Sequence, residues 1–358
     1  MSALWLWTRL LYGPTARRIK YIKLKHLGRK NFLPNAFFNK KLPMFIRNNM
    51  KKEIFGGVGT ALVTPFKNGK VDYLSLEIMI NRQIEAGVGA IILLGTTGEP
   101  ATLNESERKK ILIEAKKIIS GKTKMIVGCG SNCTLKAVEL CKKAQDLGAD
   151  GALIVTPYYN KCTQNGLIAH YEKIASKTDL PIIVYNVPSR TGVNVLPETM
   201  QKLCLVDNIC GLKEASGNIA NVLDFFRLCK DKISIYSGED ALNAIFLAMG
   251  ASGTISVASN IFPKICVKIN ALAKSKEYEK MFILQQNMQL LIKALFSEVN
   301  PICVKAGLAY LGLCKNELRL PLTTIQSENF DKLKIEINKL IGQEIWLFVN
   351  LEAQALQV

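Results

Sequence analysis

Residues 90–128 read AIILLGTTGEPATLNESERKKILIEAKKIISGKTKMIVG. The apolar run Ala90–Leu94 is followed by a turn with two glycines, a segment with helical spacing of apolar residues at Glu105–Ser120, and a second apolar run at Lys124–Gly128. Asn104, in front of an acidic first turn, is a helix start signal. Both runs lack alternation, which indicates burial on both faces. The stretch therefore predicts a strand–helix–strand unit of a parallel sheet.

The same alternation continues on both sides of this unit. The predicted strands are, in chain order, Val58–Val63, Ala90–Leu94, Lys124–Gly128, Gly151–Val155, Pro181–Tyr185, Ile209–Lys213, Ile233–Ser237 and Gly253–Ser256. Helical spacing follows the strands, as at Leu74–Ala86, Leu135–Leu147 and Gly166–Lys177. Eight such units in about 200 residues fit an α/β fold of the (β/α)8 TIM barrel type. The alternative is an open doubly wound sheet, which usually carries a glycine-rich fingerprint after its first strand, and residues 63–66 (VTPF) do not match one.

Further helices are predicted at Tyr278–Phe296, Pro301–Leu311 and Phe330–Ile341, more than eight units require. They predict a C-terminal helical subdomain. The expected organisation is a basic extension outside the fold at 1–52, a catalytic barrel at 53–273, the helical subdomain at 274–342 and a tail at 343–358.

The net charge of +18 is concentrated in the extension. Residues 1–52 hold 13 Lys or Arg and no Asp or Glu, whereas the other 306 residues hold 34 basic and 29 acidic residues. The predicted fold is thus only mildly basic, which argues against a nucleic-acid partner. No apolar run reaches the roughly 18 residues that a membrane span needs.

Three interpretations of residues 1–52 stay open. They are an upstream translation artefact with Met50 as the true start, which we favour, a targeting peptide for an organelle, or a basic tail that binds an anionic partner. The expected location is the cytoplasm, or an organelle if the extension is a targeting peptide.

The cysteines and histidines do not form a metal-site pattern. The ten Cys show no C-x-x-C spacing, and His26 and His170 are the only histidines. We expect reduced thiols that pack as small apolar side chains, in a reducing compartment, and no metal.

Candidate functional residues follow the predicted strands, where a barrel of this kind carries its active site. A Gly-Thr-Thr-Gly-Glu turn at 95–99 offers backbone N–H groups and the hydroxyls of Thr96 and Thr97 to an anion. Tyrosines follow the next strands at Tyr158, Tyr159 and Tyr185. Each feature alone is more often a plain turn or a packing residue.

Lys213 ends the sixth predicted strand. An exposed lysine is the commoner outcome at such a position. If Lys213 projects into the barrel mouth instead, burial favours the neutral amine that attacks a carbonyl carbon. An amine, an anion-binding turn and a set of hydroxyls on neighbouring strand ends suit an aldolase that forms an imine with an α-keto acid.

These motifs together resemble the dihydrodipicolinate synthase / N-acetylneuraminate lyase family, in the same order and at the same spacing, over about Ile54 to Gly342. The resemblance implies that Lys213 forms an imine with pyruvate. It implies catalytic hydroxyls on Tyr185, Thr96 and Tyr159. It implies substrate binding by the residues Thr97, Arg190, Gly238 and Ile255, the last two through main-chain groups.

Two features resemble the synthases of this family more than its lyases. They are the second residue of the Gly-Thr-Thr-Gly-Glu turn and Arg190, whose planar guanidinium suits a carboxylate. The implied reaction condenses pyruvate with L-aspartate 4-semialdehyde without a cofactor, in a homotetramer built as a dimer of dimers. The alternatives are another pyruvate-dependent aldolase that acts on sugar acids, and a non-catalytic barrel homologue.

Some members of the family are inhibited by lysine, which binds in a cleft near a subunit interface. The matching positions here are Asn132, Tyr158, Lys136, Glu105 and Arg108. Where inhibited members carry a glutamate and two histidines, this chain has Lys136, Glu105 and Arg108. The resemblance therefore implies a possible effector cleft with altered charge, and we expect weak or absent inhibition by lysine.

Overall fold

A computed structural model describes Lys51 and residues 53–355, with side chains up to Gly342. The predictions made for residues 1–50 and for the side chains of the tail lie outside the described residues.

Eight parallel strands form a closed barrel in which the first strand pairs with the last, so the predicted TIM barrel is confirmed. The barrel strands are β1 Gly57–Ala61, β4 Ala90–Leu93, β5 Lys124–Gly128, β6 Gly151–Val155, β7 Ile182–Asn186, β8 Ile209–Glu214, β9 Ser234–Ser237 and β10 Gly253–Ser256. Each agrees with its predicted strand to within two residues. A short antiparallel ladder, β2 Phe66–Lys67 with β3 Lys70–Val71, was not predicted from the sequence.

Helices surround the barrel and continue into the C-terminal part. They are α1 Tyr73–Glu85, α2 Glu105–Ile119, α3 Thr134–Asp146, α4 Gln164–Ala175, α5 Pro188–Thr191, α6 Pro197–Leu203, α7 Ile219–Cys229, α8 Asn243–Ala248, α9 Pro263–Lys274, α10 Tyr278–Leu295, α11 Ile302–Tyr310 and α12 Ser327–Ala355. The predicted start of α2 is confirmed by a capping box. The Asn104 side chain accepts from the Glu107 N–H at 2.9 Å, and the Glu107 carboxylate accepts from the Asn104 N–H at 3.0 Å.

The last helix differs from the prediction. A helix was predicted at Phe330–Ile341 with a separate tail from residue 343, but α12 runs from Ser327 through Ala355. Gly342, at the predicted end, lies inside the helix, where one glycine costs only about 1 kcal/mol. That cost is too small to end a helix that packs on α10 and α11. The subdomain boundary near residue 273 stays a prediction.

The core fills the barrel and the layer between strands and helices. The strand residues are almost all buried, as predicted from their unbroken apolar runs. All ten cysteines are free thiols, and most are buried. Among the described helices none is long and apolar enough to cross a bilayer.

Candidate active site

Lys213 lies near the carboxyl end of β8 with only 6% of its surface exposed. The strand register places it between Tyr185 of β7 and Tyr236 of β9. The Lys213 Nζ atom lies 4.1 Å from the centre of the Tyr185 ring. The amine thus projects into the barrel mouth rather than into solvent, as the functional interpretation of the sequence required.

A cavity of about 150 Å³ opens above Lys213. This volume suits a small metabolite, since drug-sized ligands occupy roughly 300–1,000 Å³. Six of the predicted catalytic and substrate-binding residues line it together, namely Lys213, Tyr185, Thr96, Thr97, Arg190 and Gly238. The strand ends therefore bring an amine, hydroxyls and a guanidinium to one place.

The anion-binding turn is a single 3-10 turn at Thr96–Gly98. The Gly98 N–H donates to the Gly95 carbonyl at 2.9 Å, and the buried Thr64 hydroxyl donates to the Gly98 carbonyl at 2.7 Å. Thr97 is buried. Hydrogen bonds on both sides hold the turn before any ligand arrives, which reduces the entropy lost on binding.

A buried ion pair anchors the end of this turn. Glu99, with a left-handed φ of 50°, pairs with Lys305 of α11, and both side chains are almost fully buried. Lys305 also donates to the Glu317 carbonyl at 2.8 Å and lies 3.9 Å from the centre of the Phe66 ring. Burial lowers the pKa of Lys305, and Glu99 opposes that shift. Lys305 was not predicted from the sequence, because nothing near it marks a functional site.

The loop that carries Arg190 is held by Asn186. The Asn186 amide nitrogen donates to Glu214 at 2.7 Å and to Asn194 at 2.8 Å, and its oxygen accepts from the Val195 N–H at 2.9 Å. Burial raises the pKa of the fully buried Glu214, while hydrogen bonds from Ser216 and Asn186 oppose the rise. Asn186 therefore supports the loop, whereas the Arg190 side chain itself is exposed.

Asn300 contacts two of the site residues and was also not predicted from the sequence. Its amide nitrogen donates to the Thr97 hydroxyl oxygen at 3.0 Å, and its backbone carbonyl accepts from Arg190 at 3.4 Å. The Asn-Pro pair at 300–301 signals a turn in the sequence. No local pattern indicates that this turn reaches the barrel mouth.

Residues 54–340 match the family model described as the dihydrodipicolinate synthetase family. The chain belongs to the dihydrodipicolinate synthetase family. It is 48% identical to the 4-hydroxy-tetrahydrodipicolinate synthase of Alkaliphilus oremlandii, over 80% of this chain and 99% of that protein. The crystal structure of dihydrodipicolinate synthase from Thermotoga maritima is similar with a TM-score of 0.79 and 46% identity, covering 80% of this chain and 99% of that one.

A second similar structure is the dihydrodipicolinate synthase of Cyanidioschyzon merolae with lysine bound. It has a TM-score of 0.77 and 41% identity, and the match covers 80% of this chain and 98% of that one. The family resemblance expected from the strand-end motifs is thus confirmed.

Two residues predicted for the site of this dihydrodipicolinate synthetase family member do not line its cavity. Tyr159 is 90% exposed and has a left-handed φ of 69°. Ile255 is buried in β10, and its near neighbour Val257 lines the cavity instead. Within one chain, Tyr159 is therefore a strained, solvent-facing aromatic residue rather than a neighbour of Lys213.

The predicted effector positions of this family member surround a second cavity of about 730 Å³, which Glu105, Arg108, Lys136 and Tyr158 line. Asn132 is not part of that lining, and its carbonyl accepts from Asn160 at 3.0 Å.

The charged residues of this second cavity have partners of their own. Lys136 pairs with Glu139 at 2.9 Å, Glu105 pairs with Lys143, and Arg108 donates to the Pro100 carbonyl at 2.6 Å. Burial lowers the pKa of Arg108. The positive charge of Lys136 is therefore partly balanced on its own helix.

Proposed function

We propose that this chain condenses pyruvate with L-aspartate 4-semialdehyde to 4-hydroxy-tetrahydrodipicolinate, through an imine on Lys213. This is the class I aldolase-type lyase reaction that begins diaminopimelate and lysine biosynthesis. The observation that carries the proposal is the buried Lys213 amine in a small cavity beside Tyr185 and the Thr96–Gly98 turn. The family and its curated relatives support the same reaction.

In this proposal the Lys213 nitrogen attacks the keto carbon of pyruvate and water leaves. The protonated imine then accepts the electron pair released when a methyl proton is lost, which gives an enamine. The enamine carbon attacks the aldehyde carbon of the second substrate. The amino group of that substrate finally attacks the imine carbon, closes the ring and releases Lys213.

The other side chains bind and move protons. Thr97 binds the pyruvate carboxylate through its hydroxyl and its backbone N–H. The hydroxyls of Tyr185 and Thr96 relay protons during imine formation and ring closure. Arg190 binds the carboxylate of L-aspartate 4-semialdehyde, with Gly238 leaving room for the Lys213 side chain. No step requires a metal or an organic cofactor.

We infer that a second copy of the chain supplies Tyr159 to this site. The exposure and left-handed backbone of Tyr159 support this inference, since strained backbone is concentrated at functional sites. We also propose that the chain assembles into a homotetramer built as a dimer of dimers and is located in the cytoplasm.

Trapping with borohydride tests the proposal directly. Pyruvate plus borohydride should leave a reduced adduct on Lys213, found by peptide mass spectrometry. Lys213→Arg should lose nearly all activity, because a guanidinium stays protonated and cannot form an imine. An adduct that persists in Lys213→Ala would contradict the assignment. A chain that traps pyruvate but cleaves N-acetylneuraminate would be a sugar-acid aldolase, and one that traps nothing would be a non-catalytic homologue.

A further inference from the structure

Asn300 reaches the cavity from outside the barrel. It lies between α10 and α11 of the C-terminal helices, lines the cavity above Lys213, and is 7% exposed. The catalytic groups of the proposed reaction come from the carboxyl ends of barrel strands and from the loops that follow them, so Asn300 joins the active site to a separate layer of the structure.

The contact with Thr97 fixes the direction of a hydroxyl proton. The Asn300 amide nitrogen donates to the Thr97 oxygen at 3.0 Å, and an amide N–H cannot accept a hydrogen bond. The Thr97 hydroxyl proton must therefore be directed to another acceptor. Within residues 53–342 this hydroxyl donates to no protein group. Its proton is available to an acceptor that enters the cavity.

The side-chain oxygen of Asn300 indicates that packing does not explain why this position is an asparagine. Its side-chain oxygen is buried and has no hydrogen-bond partner among the described residues. Leaving a buried acceptor unpaired is unfavourable, and a leucine of similar shape would avoid that penalty. The hydrogen bond from the amide nitrogen to Thr97 therefore explains why position 300 carries an amide.

The backbone of the same residue touches the second binding group. The Asn300 carbonyl accepts from the Arg190 guanidinium at 3.4 Å, a long hydrogen bond. Asn300 therefore contacts Thr97 through its side chain and Arg190 through its backbone carbonyl.

We propose that Asn300 is a positioning residue for pyruvate, which holds the Thr97 hydroxyl with its proton directed to the pyruvate carboxylate. The inference rests on the proposed function, in which Thr97 binds that carboxylate. Asn300 acts through Thr97 and does not itself react. Removing the Asn300 donor should weaken pyruvate binding and leave the chemistry of Lys213 intact.

The test measures how the borohydride-trapped Lys213 adduct depends on pyruvate concentration. Asn300→Leu should raise the half-saturating concentration roughly 10- to 100-fold, as expected for one hydrogen bond to a charged group. The maximum amount of adduct at saturating pyruvate should be unchanged. The melting temperature should not fall, because the unpaired oxygen is gone.

Asn300→Asp should raise the half-saturating concentration further. An aspartate can only accept from Thr97, so it takes up the hydroxyl proton, and its charge repels the pyruvate carboxylate. Asn270 provides a matched control. Its amide nitrogen donates to the Thr254 hydroxyl at 3.3 Å and to the Cys266 carbonyl at 3.0 Å, and its oxygen likewise has no partner in the described part of the chain, but Asn270 does not line the cavity. Asn270→Leu and Asn270→Asp should trap pyruvate like the wild type.

An unchanged half-saturating concentration in Asn300→Leu and Asn300→Asp would overturn the inference, and if one variant does not fold, the other decides. A lower melting temperature in Asn300→Leu with wild-type pyruvate dependence would assign Asn300 to packing and would equally overturn it. Failure of the wild type to trap pyruvate on Lys213 would instead overturn the proposed function, so the two failures are distinguishable.

Discussion

The Gly238 backbone lies against the Lys213 side chain so closely that a Cβ atom at position 238 would be 2.7 Å from Lys213 Cε and 2.9 Å from Lys213 Cγ. The same Cβ would be 2.9 Å from Ala215 Cβ. Glycine at 238 therefore determines where the lysine amine sits, because any larger residue occupies the volume of the Lys213 chain.

Gly238→Ala should displace the Lys213 amine while the barrel stays folded. We expect slower formation of the trapped pyruvate adduct, by at least about 100-fold, since a misplacement of about 1 Å can cost that much. Single-turnover trapping kinetics measure this. Gly342→Ala is the control, because a Cβ there meets no atom of the described residues within 4 Å. A Gly238→Ala enzyme with wild-type trapping would mean that Lys213 adapts freely.

The Tyr185→Phe variant distinguishes a role of the Tyr185 hydroxyl in proton transfer from a role of the ring in packing. The variant keeps the ring that faces Lys213 Nζ at 4.1 Å and loses only the hydroxyl. Turnover should fall by about 10²–10⁴-fold, the usual contribution of general acid–base catalysis. Thermal unfolding should be nearly unchanged. Turnover close to that of the wild type would make Tyr185 a packing residue.

Arg190→Ala should impair use of the aldehyde substrate more than imine formation with pyruvate. Because the Arg190 side chain is exposed, we expect a loss of about 2 kcal/mol, the lower end for such a contact. Steady-state KM values for both substrates measure it, with the borohydride adduct as the readout for pyruvate alone. Arg190→Lys restores charge without planar geometry and should recover only part of the loss. Loss of pyruvate trapping in Arg190→Ala would show that the role is wrong.

L-Lysine should inhibit this chain weakly or not at all. Lys136 lines the second cavity and would repel the ammonium groups of lysine, although Glu139 at 2.9 Å and solvent reduce that repulsion. A titration of activity with L-lysine at sub-saturating pyruvate tests this. Lys136→Glu should gain sensitivity, whereas Lys142→Glu, on the same helix but outside the cavity lining, should not. Strong inhibition at low lysine concentration would contradict the charge argument.

His170 should make stability depend on pH in mildly acidic solution. Burial lowers the pKa of His170 from 6.5 to about 4, and its Nδ1 atom lies 3.0 Å from the Thr134 hydroxyl oxygen. Below pH 6.5 the unfolded chain binds a proton that the folded chain excludes, so stability present above pH 6.5 is lost as the pH falls towards 4.

Relative to His170→Gln, wild-type stability should drop by roughly 1–2 kcal/mol between pH 7.5 and pH 5. Urea unfolding of both proteins at each pH gives this difference and cancels the effect of the carboxylates. A difference that does not change with pH would mean that His170 takes up a proton in the folded protein as readily as in the unfolded chain.

The sequence by itself determined the barrel and the chemistry at its rim. Strand and helix periods are local patterns, and in a parallel barrel the chain order alone brings every strand end to the same face. Lys213, Tyr185 and the Thr96–Gly98 turn could therefore be predicted to meet from their positions at strand ends, and they do line one cavity.

Only the tertiary structure decided which distant groups support that rim. Asn300 touches Thr97 across 203 residues, and Lys305 pairs with Glu99 although the two residues lie far apart in the sequence and share no local motif. Likewise the exposure of Tyr159 depends on backbone direction and side-chain packing. The physical reason is that periodicity records which face a residue occupies within its own element, whereas contacts between layers depend on how the elements pack in space.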